Sequence, residues 1–338
     1  MISLADEPLI KVLPIEPYTQ YSIDCTQNLY ISLLRYYQYD IRLLGACWPW
    51  EFVLFSKDNE SIAHQYKIIN ARLTSEERLK KLFQVDLVYH KFDNISDMWL
   101  GMKSLLESGT ALVVGLERFN EPYRENETAN LREFEHTIML LGEDQKEKKI
   151  HFIDTMPKHV GVILEEDLLN SLKSNKHRLW YSEIIRGPSF YQIGIKELWD
   201  YFIGHIRRIE DQYQSPRQFE FVYTDYFIHT LSQLLQNNQK KDLVKELSEL
   251  CAGLWGWEID RKSKWLICYL EMMTSMNVFP YAQECVNLIK ENDYNWNLTF
   301  RFLFMASRGS PPKALVEKAI DKLKIIRETD LNLFRIIK

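Results

Sequence analysis

At 338 residues, the sequence is long enough for about two domains, each able to bury a core of its own. Its hydrophobic content of 46% with 26% charged residues is typical of a globular protein, and no run approaches the ~18 apolar residues of a membrane span. The net charge of −5, with no basic tract, argues against a nucleic-acid-binding protein.

The cysteines and the first residues predict the cellular compartment. The cysteines at positions 25, 47, 251, 268 and 285 form no CxxC pair, and their odd number predicts reduced thiols. Residues 1–8 have neither the basic nor the apolar region of a signal peptide. We therefore expect a cytoplasmic protein that binds neither membrane nor nucleic acid.

The predicted elements divide the chain into two parts. In the first part, apolar patterns predict helices from residue 25 and over 95–108 and 164–172, and strands over 85–89, 111–116, 136–141, 149–154 and 178–185. After Gly187 and Pro188, which break both types of element, the pattern predicts only helices, over 195–214, 217–236, 240–255, 261–276, 281–291, 296–306, 312–326 and 330–337. The fold class is α+β: residues 1–187 form a domain with an antiparallel sheet and a cysteine-bearing helix, and residues 190–338 form an all-α domain.

Cys25 lies where an amphipathic helix is predicted to begin. Asp24 is a good N-cap type, and Leu29 and Leu33 recur at helical spacing. The positive end of a helix dipole favours thiolate over thiol and lowers a pKa that is ~8.5 in a free peptide. Cys25 is therefore a candidate nucleophile, although many single cysteines are only small buried hydrophobes.

A predicted hairpin supplies a base and a residue to orient it. The apolar run opened by His136 and the alternating run closed by Asp154 flank the glycine and charged residues of 142–148. A loop centred on Gln145 would place His136 directly opposite Asp154, with Cβ atoms about 4.5–5.5 Å apart, unless a one-residue bulge spoils the pairing. The chain order Cys25, His136, Asp154 is that of papain-like enzymes.

Four short motifs in order carry a family resemblance. The first is Asp24-Cys25 before a helix, and the second is Pro122-Tyr123 after the strand 111–116. The third is His136 followed by the apolar run 138–141 and then by Gly142-Glu-Asp144, and the fourth is Ile153-Asp154. With these motifs the chain resembles the butirosin-biosynthesis acyltransferase family, papain-like proteins of natural-product pathways, and more distantly the double-glycine peptidases that trim bacteriocin leaders. The resemblance covers about the first half of the chain and implies a papain-like fold for the first domain.

Other residues are candidates for the rest of the site. The resemblance to papain-like enzymes makes Gln20 a candidate for holding the oxyanion. The long polar stretch 118–134, which leads into the histidine, predicts a rim of the site, with Glu117, Arg118 and Tyr123 as possible substrate contacts. A metal site built from His151, Asp154 and His159 matches no common ligand spacing, so we expect no metal.

The triad alone does not choose among peptidase, thioesterase and acyltransferase, since all three form an acyl-enzyme. The resemblance implies acyl transfer in secondary-metabolite biosynthesis of the nonribosomal peptide or polyketide type, such as antibiotic biosynthesis. The acyl or aminoacyl donor would be the phosphopantetheine thioester of an acyl or peptidyl carrier protein, the acceptor an amine, and no cofactor would be bound. The alternatives are a papain-like cysteine peptidase or amidase, an editing thioesterase, and a non-catalytic scaffold.

Overall fold

The computed structural model describes residues 12–20, 23–47, 53–54, 66–67, 74–117, 135–173, 179–187, 193–214, 224–237, 240–253, 259–309 and 311–338. Its strands are β1 Val53–Leu54, β2 Tyr66–Lys67, β3 Val85–Phe92, β4 Leu112–Glu117, β5 Glu135–Asp144, β6 Lys149–Thr155, β7 Lys158–Leu164 and β8 Leu179–Arg186. Its α-helices are α1 Cys25–Tyr36, α2 Glu76–Phe83, α3 Ile95–Ser108, α4 Glu165–Lys173, α5 Ile195–Gln214, α6 Thr224–Asn237, α7 Lys240–Gly253, α8 Ile259–Ser275, α9 Ala282–Ser307 and α10 Pro312–Ile337.

The chain forms two compact units. The first contains residues 1–41 and 74–192, and the second contains residues 42–73 and 193–338. The predicted division at 187–190 places 42–73 in the first domain, whereas these residues pack with the helical unit. Gly45 shows why a close approach is possible there, since a Cβ at this position would lie 1.9 Å from the carbonyl oxygen of Trp265.

A six-stranded sheet organises the first unit. Its strand order is β3-β8-β4-β5-β6-β7, and every neighbouring pair is antiparallel. This confirms the predicted α+β class and the antiparallel sheet. Of the six strands in this sheet, β7 was not predicted; it is an edge strand, and its Val160, Val162 and Leu164 are about half exposed.

Helices cover the sheet and close the core. α3 and α4 pack against strands of the sheet, and α1 lies against β5 and β6. α3 begins after the Asn94 N-cap and ends at Gly109, whose φ of 80° is left-handed, so the predicted helix 95–108 is confirmed to the residue. The core under α3 and α4 is formed by Met98, Trp99, Met102, Leu106, Leu112, Val114, Leu116, Ile138, Leu140, Ile150, Phe152, Ile163, Leu168, Leu172 and Tyr181.

The second unit is mainly helical, but its last helices are longer than the sequence predicts. The predicted pairs 281–291 with 296–306, and 312–326 with 330–337, are each one continuous helix, α9 and α10. Asn292 lies in the gap predicted between 291 and 296, and Asp330 is the first residue of the predicted helix 330–337. Both are buried, and Asn292 Nδ2 donates to Asp330 Oδ1. This hydrogen bond joins the two helices where breaks were expected.

Within the described ranges, no helix combines the length and the apolar character that crossing a membrane requires.

Candidate active site

Cys25 is the first residue of α1, and the local sequence explains why the helix begins there. The Asp24 carboxylate accepts hydrogen bonds from the backbone N–H of Gln27 at 2.8 Å and from its side-chain amide at 2.7 Å. The bond to the backbone N–H is an N-cap bond: it gives an acceptor to one of the backbone N–H groups that have no partner within the first turn of a helix. The backbone N–H of Cys25 has no intrahelical acceptor in that position, and the positive end of the helix dipole lies beside the thiol.

A buried asparagine fixes the segment that leads to Cys25. The side chain of Asn28 is 0% exposed; its oxygen accepts from the N–H of Gln20 at 2.9 Å, and its amide donates to the carbonyls of Gln20 and Ile23 at 3.0 and 3.2 Å. The segment is therefore tied to the first turns of α1. The side-chain oxygen of Gln20 accepts from Tyr18 at 2.9 Å, and the oxyanion role of Gln20 stays a prediction.

His136 and Asp154 form a buried hydrogen bond. His136 Nε2 lies 3.0 Å from Asp154 Oδ2, and the two residues are 5% and 0% exposed. The other carboxylate oxygen accepts from the N–H of Met156 at 2.9 Å. With both oxygens bonded, the carboxylate can hold one orientation of the imidazole. Nε2 faces the carboxylate, which leaves Nδ1 to face a nucleophile.

The predicted register of the hairpin is wrong, although the predicted contact forms. The turn occupies residues 145–148, and at the tip Gly142 faces His151. Nearer the site Met139 faces Ile153, so the same register would place Ile138 opposite Asp154. His136 lies two residues before Ile138 on β5, further from the turn, so its side chain reaches Asp154 diagonally instead of directly.

A β-bulge between Leu140 and Gly142 places the two side chains on one face of the sheet. If the register at the tip continued, Met139 would face Asp154. His136 lies three residues from Met139, so its side chain would then point to the opposite face of the sheet. The extra residue at the bulge shifts the register by one and corrects this. Its carbonyl, that of Leu141, accepts the N–H of Leu13 at 3.1 Å, in the segment that leads to Cys25.

The environment favours an ion pair between Cys25 and His136. Burial and the nearby charge of Asp24 both raise the pKa of the Cys25 thiol. The hydrogen bond and charge of His136 and the hydrogen bond from Thr137 lower it, and together they outweigh the first two, so the pKa of Cys25 is lowered. Burial also favours the neutral imidazole, yet the hydrogen bonds and charges of Asp154 and Cys25 raise the pKa of His136 to about 9. Both shifts favour a thiolate beside an imidazolium over the neutral pair.

Three threonine hydroxyls surround Cys25, and none was predicted. Thr137 donates to Cys25 Sγ at 3.1 Å, and its oxygen lies 3.0 Å from that of Thr26. Thr155 donates to the Cys25 carbonyl at 3.3 Å. Thr26 and Thr137 are chain neighbours of the predicted nucleophile and base, and this adjacency is the one signal in the sequence that could have found them.

The predicted substrate contacts are only partly described. Glu117 ends β4, where its backbone pairs with Glu135. Arg118, Tyr123 and the predicted rim 118–134 lie outside the described residues. Within the described part of the chain, no three His, Cys, Asp or Glu side chains are grouped to hold a metal ion.

No protein-family model matches the sequence. A search of curated proteins likewise finds no similar sequence. The site brings together a thiol whose pKa is lowered, an imidazole whose pKa is raised and a buried carboxylate, the groups that activate a nucleophile for attack on a carbonyl.

Proposed function

We propose that this chain is a papain-like cysteine acyltransferase of the butirosin-biosynthesis type, which moves an acyl or aminoacyl group from a carrier-protein thioester to an amine. The observation that carries the proposal is the contact series from Cys25 through His136 to Asp154, with a lowered pKa at the thiol. The four sequence motifs support the family, and the amine acceptor follows from that resemblance. The reaction would take place in the cytoplasm, where a catalytic thiol stays reduced.

In the first half-reaction, the Cys25 thiolate attacks the thioester carbonyl of the donor. The tetrahedral oxyanion would be stabilised by the backbone N–H of Cys25 and by the Gln20 side chain. When the intermediate collapses, the C–S bond to phosphopantetheine breaks and the imidazolium of His136 gives its proton to the departing thiolate. The products are the Cys25 thioester, free phosphopantetheine thiol and a neutral His136.

In the second half-reaction, the acceptor amine attacks the Cys25 thioester. Neutral His136 takes the amine proton, an amide leaves, and the thiolate and imidazolium are restored. Asp154 keeps the imidazole in one orientation through both steps. Exchange of one thioester for another is nearly isoenergetic, so the acyl-enzyme can persist until the amine arrives.

The helical unit would serve the carrier protein or exclude water from the acyl-enzyme. A transferase has to keep water away while its thioester intermediate persists, because hydrolysis competes with the amine. A second unit without an assigned reaction of its own suits either task.

Intact-protein mass spectrometry after mixing with loaded acyl or peptidyl carrier proteins tests the proposal. We expect wild type to gain the mass of the acyl group, Cys25→Ala to gain none, and an added amine to discharge the adduct faster than water does. Cys268→Ala is the matched control, because it removes an exposed cysteine elsewhere and should leave acylation unchanged.

The other outcomes identify the rival activities. Hydrolysis at the same rate with and without amine would indicate an editing thioesterase. Cleavage of peptides without acylation by any thioester would indicate a cysteine peptidase, and the acyltransferase proposal would then be wrong.

A further inference from the structure

The hydroxyl of Thr137 contacts the sulfur of Cys25 directly. Thr137 Oγ1 lies 3.1 Å from Cys25 Sγ, and Thr137 is 3% exposed. A hydroxyl has one proton to donate and two lone pairs that accept. Because a thiolate has no proton, Thr137 has to be the donor in this contact whenever Cys25 is ionised.

The proton of Thr137 then fixes the direction of the next hydrogen bond. Thr26 Oγ1 lies 3.0 Å from Thr137 Oγ1, and geometry alone allows either hydroxyl to donate. Since Thr137 gives its proton to the sulfur, Thr26 donates to Thr137. The result is a chain of two hydroxyls that ends at the nucleophile, and each bond in such a chain polarises the next.

We propose that Thr137, supported by Thr26, is a further functional residue of this site: it holds the Cys25 thiolate with a second hydrogen bond beside the one from His136. The inference rests on the proposed nucleophile but needs no particular acyl donor. Hydrogen bonds to charged groups are stronger than neutral ones, and a buried hydroxyl is not replaced by water without cost. Thr137 therefore sets how much of Cys25 is thiolate and how reactive that thiolate is.

These two effects act in opposite directions. A hydrogen bond from Thr137 stabilises the thiolate, which raises its population at low pH. The same bond lowers the intrinsic nucleophilicity of the sulfur, because reactivity rises with thiol basicity along a Brønsted line of slope about 0.4–0.5. The charged groups that act on Cys25 are His136, held by Asp154 on the sheet, and Asp24 on its own helix. None of them is altered by changing Thr137.

The test is the rate of Cys25 alkylation by iodoacetamide as a function of pH in full-length Thr137→Val. Valine keeps the branched shape that suits a buried strand position but has no hydroxyl. We expect the midpoint of the profile to move to higher pH, with a rate roughly threefold to tenfold lower on its acid side, as for loss of a hydrogen bond to a charge. On the alkaline plateau the more basic thiolate of the variant should react faster than that of wild type, so the two curves cross.

Three variants control the experiment. Thr137→Ser keeps the hydroxyl and should restore the wild-type midpoint. Thr26→Val removes only the second hydroxyl, so its midpoint should shift in the same direction by less. Thr155→Val removes the hydroxyl that bonds to the Cys25 carbonyl instead of the sulfur, and its midpoint should match that of wild type.

The outcomes separate this inference from the proposed function. If wild-type Cys25 titrates like an ordinary thiol, there is no activated nucleophile and the proposed function is wrong. If wild type shows a lowered midpoint but Thr137→Val leaves it unchanged, the role of Thr137 is wrong while the nucleophile stands. A variant that slows alkylation equally at every pH, or that Thr137→Ser fails to rescue, indicates a packing role and also overturns the inference. The ultraviolet absorbance of the thiolate gives the midpoint independently of alkylation.

Discussion

His136 and Asp154 are joined diagonally across β5 and β6 by a 3.0 Å hydrogen bond between their side chains. The register near the site places Ile138 opposite Asp154, and His136 lies two positions from Ile138 on the same strand. Diagonal neighbours on a sheet lie further apart than facing ones, within reach only of longer side chains such as imidazole. A shorter substitute at either position would therefore not close the gap. The contact depends on the length of both side chains as well as on the register.

Asp154→Asn should uncouple the base from the nucleophile. The carboxylate contributes to the raised pKa of His136, so its loss should lower the pKa of His136 and weaken the ion pair with Cys25. We expect acylation at neutral pH to slow by about 10²-fold or more, a typical loss for general acid–base catalysis. Single-turnover acylation measures this, and a rate within a factor of two of wild type would contradict it.

The pH dependence of stability should reveal the ion pair through Cys25→Ala. A His136 pKa raised from 6.5 to about 9 stabilises the fold at low pH and loses that effect as the pH rises through about 9. The lowered pKa of Cys25 stabilises the fold at high pH and loses that effect as the pH falls through the folded value. At pH values above both 6.5 and the folded pKa of Cys25, and below about 9, the two slopes oppose each other in wild type.

Cys25→Ala removes the Cys25 slope and reduces the His136 slope, because the hydrogen bond and charge of Cys25 help to raise the pKa of His136. Its free energy of unfolding relative to wild type should therefore fall as the pH rises above the folded pKa of Cys25, until His136 of the variant has lost its proton. Urea unfolding at several pH values measures the difference, in which ionisations elsewhere in the protein cancel. A difference that does not change with pH would mean that no ion pair forms.

Cys25 should be the first thiol to be alkylated near neutral pH. Burial raises the pKa of Cys251 to about 11 and that of Cys285 to about 12. Cys268 is the sharper comparison because it is exposed. Partial burial of its sulfur and the charge of Glu271 still raise its pKa. Peptide mapping after brief iodoacetamide treatment should find Cys25 modified first, and earlier labelling of Cys268 would contradict an activated Cys25.

Asn28→Ala should reduce both stability and acylation. The change removes an acceptor for the N–H of Gln20 and a donor to the carbonyls of Gln20 and Ile23, and leaving buried groups without partners costs about 1–3 kcal/mol. The exposed Asn332→Ala is the control and should change stability by less than about 0.5 kcal/mol. Equal melting temperatures for the two variants would show that Asn28 does not fix the segment.

A double-mutant cycle tests the buried bond between α9 and α10. Asn292→Leu or Asp330→Leu alone leaves a buried polar partner and should cost about 1–3 kcal/mol, whereas the double variant should recover part of that loss. We expect a coupling energy of about 0.5–3 kcal/mol from urea unfolding. Additive losses would show that the two side chains are energetically independent.

The sequence predicts most where one local rule decides the structure. α3 was predicted to the residue because Asn94 caps its start and Gly109 ends it. The continuity of α9 and α10 was missed because Asn292 suggests a break and Asp330 suggests a new helix start, and only the structure shows that the two side chains bond to each other. That pairing joins residues far apart in the chain, and neither local pattern contains it.

At the candidate site, side-chain chemistry was easier to predict than geometry. Cys25 at a helix start follows from spacing and residue type, whereas the contact of His136 with Asp154 was predicted from a register that the hairpin does not have. The bulge was not predictable, because an apolar residue such as Leu141 gives no signal of an irregular strand. The hydroxyl of Thr137 was missed for a related reason: a threonine in a strand is ordinary, and only the packing of α1 brings Cys25 to it.

The bulge at Leu141 also determines how candidate relatives of this chain should be aligned. A sequence that gains or loses residues within the turn 145–148 keeps both registers of the hairpin. A sequence that gains or loses a single residue between His136 and Gly142 reverses the side of the sheet on which its histidine lies, and disturbs the acceptor of the Leu13 N–H as well. Alignment gaps therefore belong in the turn, and the spacing from histidine to bulge identifies this arrangement better than the spacing from histidine to aspartate.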